Sequence, residues 1–106
     1  MKDSNESVVV RTSKPLFALG EVVMTSGVVE LIDRYNLNPE DYLNKHVHGD
    51  WHEMGEEHER RNLESVQLGL SILSSFTLAG DFPERRICVM TQADRSVTTL
   101  FLPMEY

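Results

Sequence analysis

Residues 46–58, HVHGDWHEMGEEH, hold all four histidines of the chain and its one tryptophan, with Asp50, Glu53, Glu56 and Glu57 between them. Imidazoles and carboxylates are the side chains that hold zinc and related metals and that move protons in catalysis. His46, His48 and Asp50 form an HxHxD spacing that some metal-dependent hydrolases use, but those centres take further ligands from distant parts of the fold. Here no histidine lies outside the segment. On a helix, ligand pairs stand at i, i+3 or i, i+4. His46–Asp50 and His48–His52 have that spacing, yet Gly49 breaks the helix between them. His58-Glu59 has no histidine four residues on to complete HExxH.

The segment therefore reads first as a seam between two helices. Gly49 closes one helix, and Asp50 caps the next, with Glu53 three residues later completing a capping-box-like pair. Trp51 is a large apolar anchor at the junction. His46 falls on an inner helical stripe as a hydrogen-bonded core histidine, while His48, His52 and His58 face water. No metal or cofactor is assigned; His46, His48 and Asp50 are the residues a metal would use. A histidine beside Asp50 would have its pKa raised.

A second polar cluster is TQADRSVTT, residues 91–99. Asp94 suits an Asx-turn to backbone donors two residues on, and Arg95 suits a reach across the sheet to a carboxylate. Its functional reading is a small pocket in which Arg95 binds a carboxylate or phosphate, helped by the hydroxyls of Thr91, Thr98 and Thr99. No phosphate loop, dinucleotide fingerprint or nucleophile elbow is present. Ser74-Ser75 has no evident base partner, so no triad is assigned.

These residues need elements to position them. At 106 residues, with 41% hydrophobic and 25% charged residues, the chain fits one domain with one modest core. Residues 1–13 read as a flexible polar arm, with Val8–Val10 able to join a sheet edge. Residues 14–106 read as one α+β domain. Leu16–Leu19 and Val22–Met24 are extended. Thr25 N-caps a first helix with an apolar stripe of Val28, Val29, Leu31, Ile32 and Tyr35, ending near Asn36. Asn38-Pro39-Glu40-Asp41 starts a second helix, with Tyr42, Leu43, His46 and Val47 inward. A third runs from Asp50 or Gly55 to Gly69, with Leu63, Val66 and Leu70 as its stripe. From Ile72 the period becomes two. Strands over 72–78, 86–92 and 97–102, joined by turns at 79–84 and 92–95, make an antiparallel meander. About three helices thus pack on one face of a three- to four-stranded antiparallel sheet. Cys88, the one cysteine, sits in a strand as core.

Net charge is −7, and the basic residues make only two adjacent pairs, Arg60-Arg61 and Arg85-Arg86. That argues against direct nucleic-acid binding, which needs clustered Lys and Arg. No apolar run is long enough to span a bilayer, and MKDSNESVVVRTSKP does not read as a secretory signal. These features, with the single cysteine, lead to the expectation of a cytoplasmic protein.

The stretches LFALGEVVMTSG, HVHGDWHEMGEEHERRN, ILSSF and TQADRSVTTLFLPMEY together resemble a family of small uncharacterised proteins of bacterial genomes, plasmids and prophage-like elements. Its pattern carries GDWG in the middle and TEADRSxTTxLLPxxY at the end, and the likeness covers about residues 15–106. Members carry labels such as plasmid-related or restriction-associated, with no established function. Matching positions include Gly20, Thr25, Gly27, His46, Asp50, Trp51, Asn62, Ser74, Thr91, Asp94, Arg95, Thr98 and Thr99. Ser26 stands in place of a proline, His52 of the last glycine of GDWG, His58 of an aspartate, Phe76 of a tyrosine and Gln92 of the glutamate of TEADR.

Two functional readings follow. In the favoured one the chain is an acidic, non-enzymatic accessory protein of mobile-element type. It binds another protein, such as a host-defence or nucleic-acid-handling factor, through Trp51 and the Asp94–Arg95 turn. In the alternative, a small enzyme or ligand-binding domain, Asp50, Trp51, Asn62, Thr91, Asp94, Arg95, Thr98 and Thr99 line one pocket with His46. Pairing of an exposed sheet edge would give a homodimer.

Overall fold

The computed structural model describes residues 14–78 and 86–105. The N-terminal arm, its Val8–Val10 segment, the 79–84 turn and Tyr106 lie outside the described residues. The elements run in the order β1 (Glu21–Met24), α1 (Ser26–Tyr35), α2 (Pro39–Val47), a 3-10 turn (His52–Met54), α3 (Glu56–Leu68), β2 (Ile72–Thr77), β3 (Arg86–Thr91), β4 (Val97–Phe101) and a final 3-10 turn (Pro103–Glu105).

The caps form as their residue types require. The Thr25 hydroxyl accepts from the Val28 amide, and Asn36 closes α1 with φ 54°. The Asn38 side chain accepts from the Glu40 amide, with Pro39 opening α2. Strands β2, β3 and β4 form the expected antiparallel meander. The sheet as a whole is mixed, not antiparallel throughout. Its order is β1-β4-β3-β2, and β1 runs parallel to β4, with Val22 opposite Thr98 and Met24 opposite Leu100.

Register puts Ile72, Ser74 and Phe76 beside Thr91, Val89 and Ile87, and these beside Thr98 and Leu100. This face meets Val28 and Leu31 of α1, with Tyr42 and Leu43 of α2 packed against them, and forms the larger core cluster. A smaller cluster joins Phe17, Val47, Trp51 and Ile72, with Leu19 and Val66 against it. Cys88 is on the other face, beside a hollow of about 190 Å³ with Leu73, Phe101 and Pro103; burial raises its thiol pKa.

Two apolar stripes differ from expectation. Val29 of α1 is 49% exposed. In α3 the buried residues are Asn62 and Ser65, whereas Leu63 and, just beyond the helix, Leu70 are half exposed. The reason is position: α3 lies along β2, an edge strand, and edge strands present unpaired carbonyls and amides that need polar partners.

Candidate functional site

Helix α2 delivers His46 onto the sheet face where Ser74, Thr91 and Thr98 stand on three strands. All four side chains are fully buried. His46 Nδ1 is bonded to Ser74 Oγ, and Nε2 lies 2.9 Å from Thr91 Oγ1. Thr91 Oγ1 is 2.6 Å from Thr98 Oγ1, and the Thr98 hydroxyl donates to the Leu19 carbonyl at 2.7 Å.

The far end of this chain fixes the protons. A carbonyl only accepts, so Thr98 donates to Leu19 and must accept from Thr91. Thr91 must then accept from His46, which places the imidazole proton on Nε2. His46 Nδ1 is left as an acceptor for the Ser74 hydroxyl. One neutral tautomer satisfies every member. Burial lowers the His46 pKa to about 3, consistent with that neutral form. Protonation would place a second N–H against Ser74 and reverse its hydroxyl, and burial disfavours the charge.

Phe17 closes the site, edge-on to His46 with ring centroids 5.1 Å apart. The Arg95 guanidinium lies over the Phe17 ring, 5.6 Å from its centre. Arg95 does not meet a carboxylate. It donates to the carbonyls of Leu70 at 2.7 Å, Ala93 at 3.1 Å, and Gln92 and Ser65 at 3.2 Å. Two of these acceptors lie at the end of α3: the Ser65 carbonyl, which also accepts from the Gly69 and Leu70 amides, and the Leu70 carbonyl just beyond the helix. Arg95 therefore ties the β3–β4 turn to the end of α3. It adopts φ 61°, and Asp94 supports it by the expected Asx-turn, accepting from the Ser96 amide at 3.0 Å and hydroxyl at 2.6 Å. Those two bonds hold the Asp94 carboxyl below its usual pKa. Gly20 (φ 66°) passes so close to this turn that a Cβ would collide with the Ser96 and Arg95 carbonyls.

Trp51 is 3% exposed and donates from Nε1 to the His46 carbonyl at 3.0 Å. It is the junction anchor, and its burial removes it as a direct contact for a partner. The capping box does not form. Asp50 Oδ1 instead meets His52 Nδ1 at 2.6 Å, Glu53 accepts from the Thr77 amide at 2.8 Å, and α3 starts at Gly55 with no side-chain cap. His46 is thus not the histidine beside Asp50, and its pKa falls where a partnered histidine's would rise. His48 and His52 are exposed and His58 half-buried. Among the described residues no group of three or more His, Cys, Asp or Glu is gathered to hold a metal.

Asn62 donates to the Leu73 carbonyl at 2.8 Å, filling an outward acceptor of the β2 edge. Asn62→Ala should cost about 1–2 kcal/mol, the usual penalty for a buried polar group left unpaired, measured by urea unfolding. Thr99 stands across from Met90, on the face opposite Thr98. The structure thus brings His46, Thr91 and Thr98 together, and links Arg95 to them through Phe17. Asp50, Asn62, Asp94 and Thr99 stand apart from the cluster. Where the two polar segments meet, the geometry is a sealed network, not an open pocket.

Sequence reading missed Phe17, and it named Ser74 without the histidine partner that the structure gives it. Ser74 had a signal: period two puts it between Ile72 and Phe76 on the inner face, where a polar residue needs a partner. Comparison with protein-family models, curated proteins and solved structures finds no match.

Proposed function

We propose that this protein is a small acidic, non-enzymatic accessory module, of the kind its resemblance to plasmid-borne proteins suggests, that works by binding another protein. A host-defence or nucleic-acid-handling factor is the favoured class of partner. One observation carries this reading. The polar side chains of His46, Ser74, Thr91 and Thr98 are spent inside the fold, whereas a group of apolar side chains is exposed at a sheet edge: Val22, Val23 and Met24 of β1 and Val29 of α1 are 38–49% exposed. Apolar residues grouped at a surface mark contact sites more often than scattered ones do.

The contact moves accordingly from Trp51 and the Asp94–Arg95 turn to β1 and the start of α1. Affinity capture with the full chain from a native lysate should retain a folded, non-chaperone protein in stoichiometric amount. Recovery of chaperones alone would remove the reading.

A further inference from the structure

The two borders of the sheet are finished differently. At β2, side chains occupy the outward backbone groups: Asn62 takes the Leu73 carbonyl and Glu53 the Thr77 amide. At β1, the amides of Glu21 and Thr25 bond inward to the Ser96 and Leu100 carbonyls, at 2.9 and 3.0 Å. Backbone groups alternate direction along a strand, so those of Val22 and Met24 point away from β4. Among the described residues β1 has a strand on one side only.

Beside this edge lies an open hollow of about 670 Å³, lined by Met24, Ser26, Gly27, Val29, Glu30 and Glu105. Its lining joins the apolar side chains of Met24 and Val29 to the carboxylates of Glu30 and Glu105. Glu21 is exposed on the strand itself. Glu105 is fixed at the rim, its Oε1 accepting from the Thr25 hydroxyl at 2.6 Å and the Leu102 amide at 2.7 Å, which holds its pKa down and keeps it ionised. Arg34 sits 3.6 Å from Glu30.

We propose that β1 accepts an extended segment of a basic partner protein as a fifth strand, with an apolar side chain in the Met24–Val29 hollow and Lys or Arg against Glu21, Glu30 and Glu105. This deepens the protein-binding reading above and rests on it. Strand addition takes its affinity from backbone hydrogen bonds and its specificity from flanking side chains. Complementary charge selects the partner: a second copy of this chain, at net charge −7, would bring two acidic rims together.

The test uses the isotope-labelled full chain and two blocked peptides of about seven residues, long enough to span β1, one alternating valine with lysine and one alternating valine with glutamate. In the free protein the Val22 and Met24 amides should exchange fast. The valine–lysine peptide should slow them at least about tenfold, and the valine–glutamate peptide should bind at least about tenfold more weakly. Glu21→Lys combined with Glu30→Lys should reverse that preference with the fold unchanged. Slow exchange at Val22 and Met24 in the free chain would mean that the edge is already occupied and would overturn the proposal, as would equal binding of both peptides or shifts confined to another surface. A lysate partner retained equally by wild type and by the charge-reversed variant would remove the edge assignment while leaving the protein-binding reading standing. Absence of any partner for either form would count against that reading itself.

Discussion

Replacing His46 by alanine is expected to cost about 4 kcal/mol of folding free energy, within the range for emptying a large buried site and stripping hydrogen-bond partners from what remains. Ser74 would lose its acceptor and Thr91 its donor, and both side chains are fully buried. Phe17 would lose the ring against which its edge packs. Equilibrium urea unfolding at pH 7 measures the loss. A value under about 1 kcal/mol, typical of a surface substitution, would show that the network contributes little.

The same residue makes stability depend on pH. In the folded chain the His46 pKa is about 3, while an unfolded histidine titrates near 6.5. The unfolded state therefore binds the extra proton between these values, and stability must fall as pH falls through that window. From pH 7 to pH 5 the loss should be about 2 kcal/mol. Asp94 and Glu105, whose pKa values are also lowered, push in the same direction but only in the carboxylate range below. The slope between pH 6.5 and 5 is thus chiefly that of His46. In His46→Gln, which has no proton to gain, that slope should largely vanish even if the variant is less stable at every pH.

How far the sequence disclosed this arrangement depends on the range over which each signal acts. The caps at Thr25 and Asn38 and the period-two runs of the meander are local, and each was readable from a few neighbouring residues. The burial of His46 followed from its helical phase, and that of Trp51 from its place as an apolar anchor at the junction. The partners of His46 did not, because Ser74 is 28 residues away and Thr91 is 45. Strand β1 gave no alternation to read, since all four of its residues are exposed, and its parallel partner comes after three helices and two strands. The capping box at Asp50 failed because Glu53 has a better use. It neutralises an edge amide of β2, a demand visible only once the sheet exists. Helix α3 misled in part for the same reason: Val66 packs against the smaller core cluster as its stripe implies, but Asn62 faces a strand edge, where its side chain takes the Leu73 carbonyl.

Trp51→Ala is expected to destabilise the chain by about 4 kcal/mol, as truncation of a buried aromatic does. The indole fills the smaller core cluster between Phe17, Val47 and Ile72, and its Nε1 holds a carbonyl of the last turn of α2. Trp51→Phe separates the two contributions. It keeps an aromatic ring in the cluster and removes the donor, so it should cost about 1–2 kcal/mol. Because the substitution removes the chain's only tryptophan, far-UV circular dichroism must follow the unfolding, not fluorescence. The Phe variant should retain the slope between pH 6.5 and 5, since the Ser74–His46–Thr91–Thr98 chain does not pass through the indole. Loss of that slope would mean that the Trp51 bond to the His46 backbone is what keeps the imidazole in its network. If Trp51 were instead an interface anchor, Trp51→Ala would abolish partner capture with little change in unfolding free energy. Its 3% exposure makes the opposite pattern the expected one: a large loss of stability and, in whatever fraction stays folded, an intact β1 edge.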